Sequence, residues 1–149
     1  VEFRVLSNAA SREIETLKYL HTMLRVANLD ASLAYYQDTL GFTVLSREDF
    51  SDGAFTLAFL RAPGDGAHGP TLELTYNWDV SKYELGGAYG HLAFAVDDLK
   101  AFRMRLKEKG TDFSWGPKAS PSGRSTIAFL TDPDGYKIEL ISSQETPRT

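Results

Sequence analysis

The sequence predicts an α+β fold built from two related βαβββ modules. Three observations carry this. The chain reads twice: HTMLRVANLDASLAYYQDTLGFTVL from His21 and HLAFAVDDLKAFRMRLKEKGTDFSW from His91 follow one plan. Within each copy the hydrophobic period passes from alternation to helical spacing and back to alternation. Gly-, Pro- and Asp-rich stretches then separate the later strands.

The elements follow in order. A strand opens at His21, and a helix carries Leu29, Leu33, Tyr36 and Leu40 on one face before Gly41 stops it. Asn28 or Asp30 supplies its N-terminal cap. A second strand (FTVL) precedes Phe55 to Leu60 and Thr71 to Thr75, which are divided by the loop APGDGAHGP. The second copy repeats this: a strand at His91, then a helix with Leu99, Phe102 and Leu106 on one face, capped by Asp97 or Asp98 and stopped at Gly110. Ser125 to Leu130 and Tyr136 to Ile141 are its last strands, joined by Asp132-Pro133-Asp134-Gly135, in which Pro fixes φ and Gly accepts a positive φ. The predicted organisation is an N-terminal arm (1–18, with helical potential around Ile14 and Leu17), a first module (19–76), a linker (77–90), a second module (91–142) and a polar tail (143–149).

Composition narrows the function. A chain of 149 residues with 42% hydrophobic and 24% charged residues is that of an ordinary globule. A net charge of −4 argues against nucleic acid as partner, since phosphate binding leaves a clustered basic footprint. The absence of cysteine removes disulfides, thiolate ligands and cysteine nucleophiles. No apolar run approaches the roughly 18 residues of a membrane helix, and no secretory signal is read, so a cytoplasmic location is the default expectation.

The repeat duplicates chemistry as well as shape. Each module opens its first strand with a histidine, His21 or His91, and carries a glutamate on its last strand, Glu73 or Glu139. Strand alternation sets His21 with Met23 and Arg25, opposite Thr22, Leu24 and Val26; Glu73 lies opposite Leu72 and Leu74. His91 lies opposite Leu92, Phe94 and Val96, and Glu139 opposite Ile138 and Leu140. The apolar side can pack under the helices, which leaves all four candidates on the other face. A lone strand histidine is more often structural and a lone strand glutamate more often solvated. Four at matching repeat positions point instead to a metal, because carboxylates gathered in one cavity repel without a cation. Two imidazoles and two carboxylates suit a borderline divalent ion such as Ni²⁺, Co²⁺ or Zn²⁺. His68, in the Gly/Pro loop, has no such counterpart and reads as a surface residue.

With these residues in view, the chain resembles the glyoxalase I (lactoylglutathione lyase) family of the vicinal-oxygen-chelate superfamily. The matching stretches are LHTMLRV, ELTYNW, KYELG, AYGH and DPDGYKIEL, spanning residues 20 to 141. DPDG is shared widely across the superfamily; ELTYNW with AYGH is specific. The resemblance implies a cupped mixed sheet with the helices on its outer face, and His21, Glu73, His91 and Glu139 as metal ligands. It implies a short bacterial-type homodimer with metal sites shared between subunits. The implied reaction isomerises the methylglyoxal–glutathione hemithioacetal to S-lactoylglutathione through an enediolate. Glu139 is the implied base, with Glu73 serving the opposite face.

The same resemblance assigns Arg25 and Asn77 to the γ-glutamyl group of glutathione, the thiol co-substrate. Phe55, Leu57, Phe59, Ile127 and Phe129 alternate onto one face; they line the pocket for the aldehyde's substituent or belong to the core. Short members carry a Lys-Gly-Gly segment before the penultimate strand, whereas this chain reads KASPSGRST with Pro121 at the lysine, leaving Lys118 or Arg124 to replace it. Gly87 stands where larger zinc-type members carry arginine, and those members' insertions are absent, which favours the nickel- or cobalt-activated class over zinc. The rival readings are another superfamily member, such as a thiol transferase, an epimerase or an iron dioxygenase, a non-catalytic ligand-sequestering dimer, or a structural metal site. Glu73 disfavours the dioxygenase, which needs two histidines and one carboxylate.

Overall fold

In a computed structural model that describes residues 16–143, the first half of the chain runs β1 (His21–Arg25), α1 (Leu29–Ala34), β2 (Thr43–Phe50), β3 (Phe55–Arg61) and β4 (Thr71–Asn77). The second half repeats it as β5 (His91–Ala95), α2 (Leu99–Glu108), β6 (Trp115–Ala119), β7 (Ser125–Thr131) and β8 (Lys137–Ser143). The expected arm up to residue 15, Ile14 included, and the tail from residue 144 lie outside the described residues. Each half forms its own four-stranded sheet, in the orders β1-β4-β3-β2 and β5-β8-β7-β6. The outer strands β1 and β5 pair parallel with β4 and β8, and the remaining pairs are antiparallel.

Local chemistry sets the helices. Asn28 and Asp98 are the residues that cap them, each accepting from the backbone N–H three residues on, at 2.9 Å from Ala31 and 3.0 Å from Ala101. The first helix widens into a π turn over Tyr35–Thr39, closed by the bond from Leu40 N–H to Tyr35 O. Both helices end where Gly41 and Gly110 take up positive φ, the conformation that costs a glycine least.

One apolar core spans both modules. Leu24, Leu60, Leu72 and Leu74 from the first sheet and Leu130, Ile138 and Leu140 from the second are buried in it together with α1 and α2. Phe42 and Phe94 meet edge to face across the junction, 5.4 Å between centroids. The Asp132–Gly135 turn fastens the halves. Asp132 accepts from the buried Tyr36 hydroxyl at 2.8 Å, and Asp134 accepts from Ala27 N–H at 2.8 Å and from the Ser32 hydroxyl at 3.2 Å. Tyr136 donates its hydroxyl to Arg25 O at 2.8 Å. Burial, reinforced by the Asp132 carboxylate, pushes the Tyr36 hydroxyl far above its ordinary value, so it stays a donor. The DPDG motif therefore ties the end of β1 and the start of α1 to the second module.

Candidate metal centre

Strand register defines the open face of each sheet. In the first module Met23, Glu73, Phe59 and Ser46 are successive cross-strand partners and so project to the same side. In the second, Ala93, Glu139, Phe129 and Trp115 form the equivalent row. The alternate residues Leu72, Leu74, Ile138 and Leu140 are at most 5% exposed in the core, so the glutamates are turned away from it. This is the side opposite the helices, as the alternation requires.

Each module brings its histidine to its glutamate. His21 Nε2 lies 2.9 Å from Glu73 Oε2, and His91 Nε2 lies 2.9 Å from Glu139 Oε2. The imidazoles are about two-fifths exposed at 38% and 43%, the carboxylates only 13% and 15%, so the couples open outward above a sheltered floor. A phenylalanine backs each histidine edge to face: Phe59 at 5.6 Å from His21 and Phe129 at 5.4 Å from His91. Neither glutamate is paired with a lysine or arginine among the described residues. The Thr75 hydroxyl reaches Glu73 Oε1 in a long bond of 3.5 Å, while Ile141, at the equivalent position beside Glu139, has no hydroxyl to offer.

The structure thus joins the four expected ligands in pairs and not as a quartet. Among the described residues of one chain, no three His, Asp or Glu side chains converge on a point where a metal would sit. Each couple presents one imidazole nitrogen and one carboxylate, half of a two-His, two-Glu donor set. That half-set fits a borderline divalent ion.

The remaining expected residues fall around the couples. Arg25 ends β1 on the open face and is exposed; Asn77 ends β4 and donates from Nδ2 to the Tyr83 hydroxyl at 2.8 Å. Phe55, Leu57, Phe59 and Phe129 are half-buried on the open face. Ile127 shares that face but is 8% exposed, and it stands apart from the core cluster. Arg124 sits exposed in the turn before β7, whereas Lys118 lies on β6 paired with Ile127. Trp115 and Tyr83 were not legible as neighbours of the couples. Alternation alone placed Met23 beside His21, but the position of Trp115 depends on a strand bulge.

Two βαβββ modules, each with a His–Glu couple facing out of its sheet, define the class. The chain belongs to the Glyoxalase/Bleomycin resistance protein/Dioxygenase superfamily, whose family model matches residues 18–140. Within that class it is similar to the lactoylglutathione lyase of Neisseria meningitidis serogroup A, at 47% identity over 86% of this chain and 92% of that protein. Among solved structures it resembles the trypanothione-dependent glyoxalase I of Leishmania major, with a TM-score of 0.72 at 38% identity over 85% of this chain and 87% of that one. It also resembles glyoxalase I from Zea mays, with a TM-score of 0.76 at 39% identity over 87% of this chain and 46% of that longer one.

Proposed function

We propose that the chain is a lactoylglutathione lyase, isomerising the hemithioacetal of methylglyoxal and glutathione to S-lactoylglutathione. The observation that carries this is the His–Glu couple at 2.9 Å, built twice on the open faces of a fold whose relatives bear that name. In the working assembly, a homodimer, His21 and Glu73 of one copy face His91 and Glu139 of the other and hold one divalent ion between them. Nickel or cobalt is the favoured ion, with zinc as the alternative, and the setting is the cytoplasm. Two neutral imidazoles and two carboxylates leave such an ion nearly neutralised, so negative charge gained by the substrate is the charge the site stabilises. Bound there, the ion supplies Lewis acidity to the substrate's oxygens, which acidifies the adjoining C–H bond.

The chain's own residues move the proton. Glu139 takes it from the carbon bearing sulfur and delivers it to the neighbouring carbon, while the hydroxyl proton passes from the first oxygen to the second, converting a hydroxy-thioether next to a carbonyl into a 2-hydroxyacyl thioester. The substrate is isomerised, so no co-reactant is consumed. Glu73 faces the opposite side of the substrate. The Thr75 hydroxyl beside Glu73 and the apolar Ile141 beside Glu139 support this division, because the hydroxyl helps hold the Glu73 carboxylate in place and Glu139 has no such contact from residue 141. Phe59 and Phe129 exclude water beside the couples, where positioned proton transfer is worth about 10²–10⁴-fold. Arg25 and Asn77 hold the γ-glutamyl end of the thiol, with Tyr83 fixing the Asn77 amide. Phe55, Leu57, Phe59, Ile127 and Phe129 face the aldehyde's substituent.

The test is an assay of metal-stripped protein with methylglyoxal and glutathione, adding Ni²⁺, Co²⁺ or Zn²⁺ separately and following thioester absorbance. Restored turnover with at least one ion is expected. Absence of turnover with all three removes the proposed function. A ligand-sequestering dimer of the same fold gives no reason for two such couples.

A further inference from the structure

On β3 the open face reads Phe55, Leu57, Phe59 and Arg61, because Thr56, Ala58 and Leu60 between them turn into the core at 3% exposure or less. The apolar strip proposed above for the aldehyde's substituent therefore ends in a cation. Arg61 pairs with Thr43 on β2, and Phe59 pairs with Glu73 on β4. Arg61 is thus the diagonal neighbour of Glu73 across the sheet, a separation of about 7–8 Å. Both side chains project from the same face.

The Arg61 guanidinium is left without a partner. The residue is half-buried, its Nε is buried with no acceptor, and no carboxylate among the described residues pairs with it. A sheltered donor left unsatisfied is costly, so its retention beside the couple calls for an acceptor from outside the chain. Glu73 does not serve, since Oε2 lies against His21 and Oε1 accepts from the Thr75 hydroxyl. Nor does the couple need the cation. In the second module the position diagonal to Glu139 is Thr131, which carries no charge. The His91–Glu139 couple still closes to the same 2.9 Å as His21–Glu73, with its carboxylate 15% exposed against 13%. Lys137, the cation in the row of His91, is exposed and solvated. Arg61 is therefore surplus to the couple that it adjoins.

We infer that Arg61 is a specificity residue that receives a carboxylate carried on the carbon substituent of the 2-oxoaldehyde. The substrates then extend from methylglyoxal to acidic 2-oxoaldehydes, which are favoured over neutral ones of the same shape. The inference rests on the function proposed above. The methyl group of methylglyoxal is too short to cross from Glu73 to Arg61. An aromatic ring or a short chain ending in a carboxylate spans that diagonal over Phe59. The planar guanidinium meets such a carboxylate through two parallel hydrogen bonds, a geometry that an ammonium does not reproduce. The reaction is unchanged, because the added carboxylate is bound and takes no part in the proton transfer.

The test uses the metal-loaded protein with glutathione and two aldehydes of one shape, 4-carboxyphenylglyoxal and its neutral 4-carbamoyl counterpart. A charge-assisted contact predicts that the intact protein prefers the acid by about tenfold in kcat/KM, chiefly through KM. Arg61→Gln should erase that preference and Arg61→Lys should recover part of it, while Lys137→Gln keeps it whole. A preference that survives Arg61→Gln, or that is lost in Lys137→Gln, overturns the assignment. The intact protein decides the matter by itself if Arg61→Gln does not fold, since equal kcat/KM for the two aldehydes contradicts the inference. Methylglyoxal run alongside separates the two possible failures. Turnover of methylglyoxal with no preference for the acid sinks this inference alone; absence of turnover with all three aldehydes sinks the proposed function with it.

Discussion

Glu73 and Glu139 occupy the same position in their two modules. Each is paired across the sheet with a phenylalanine, Phe59 or Phe129, and each has one carboxylate oxygen 2.9 Å from its own module's histidine. What differs is the neighbour two residues on, Thr75 or Ile141. The equivalence predicts shared metal binding and the difference predicts unequal roles in proton transfer.

Replacing Glu139 by Gln keeps the shape and removes the proposed base. Turnover should fall by about 10²–10⁴-fold while the protein stays folded by circular dichroism. Glu73→Gln should reduce metal affinity as well, but cost less in turnover once metal is saturating. Full activity in Glu139→Gln would remove it from the chemistry.

Arg25 lies at the end of β1, and the proposed function gives it a binding part and no part in the chemistry. Arg25→Ala should raise KM for the hemithioacetal about tenfold with kcat nearly unchanged, because a contact made equally in ground and transition states acts on KM. Initial-rate kinetics at saturating metal decide it, and an unchanged KM would exclude the thiol-binding role.

Tyr36 and Asp132 are 96 residues apart in sequence and joined by a buried 2.8 Å hydrogen bond between modules. Tyr36→Phe leaves a buried carboxylate short of one donor, though Asp134 N–H and Tyr136 N–H still reach it. The expected cost is about 1–3 kcal/mol in urea unfolding. A loss near zero would mean that the turn does not hold the modules together.

The Arg103 guanidinium, with Phe113 N–H, holds the Asp112 carboxyl down at about 2. A depressed carboxylate contributes stability that is fully present above its unfolded value of about 3.9 and is lost as pH falls through the folded value. Asp112→Asn should therefore lower Tm at neutral pH, and its difference from the parent should shrink between about pH 4 and pH 2. A difference that stays constant across that window would contradict the pairing.

What could be read from the sequence was what local periodicity encodes. Alternation fixed which face His21, Glu73, His91 and Glu139 share, and the repeat made the four stand out. The glycines after each helix marked where the helices stop. Three features lay beyond such reading. The π turn at Tyr35–Thr39 contains Tyr36, whose hydroxyl meets Asp132 in the other module, a contact no local window contains. The bulge that turns Lys118 toward the open face depends on pairing between β6 and β7, and a strict alternation places that residue on the wrong side. The separation of the four ligands into two couples depends on how the modules pack, which the pattern of either module alone does not determine.

The proposed shared site joins the couple of one copy to the complementary couple of another through one ion. It is tested by mixing two inactive variants, one carrying His21→Ala with Glu73→Gln and the other His91→Ala with Glu139→Gln, after dissociation and re-pairing. A shared site predicts recovery of about a quarter of parental activity, because random pairing makes half of the dimers mixed and each mixed dimer rebuilds one complete site of two. A mixture no more active than either variant alone would contradict a shared site.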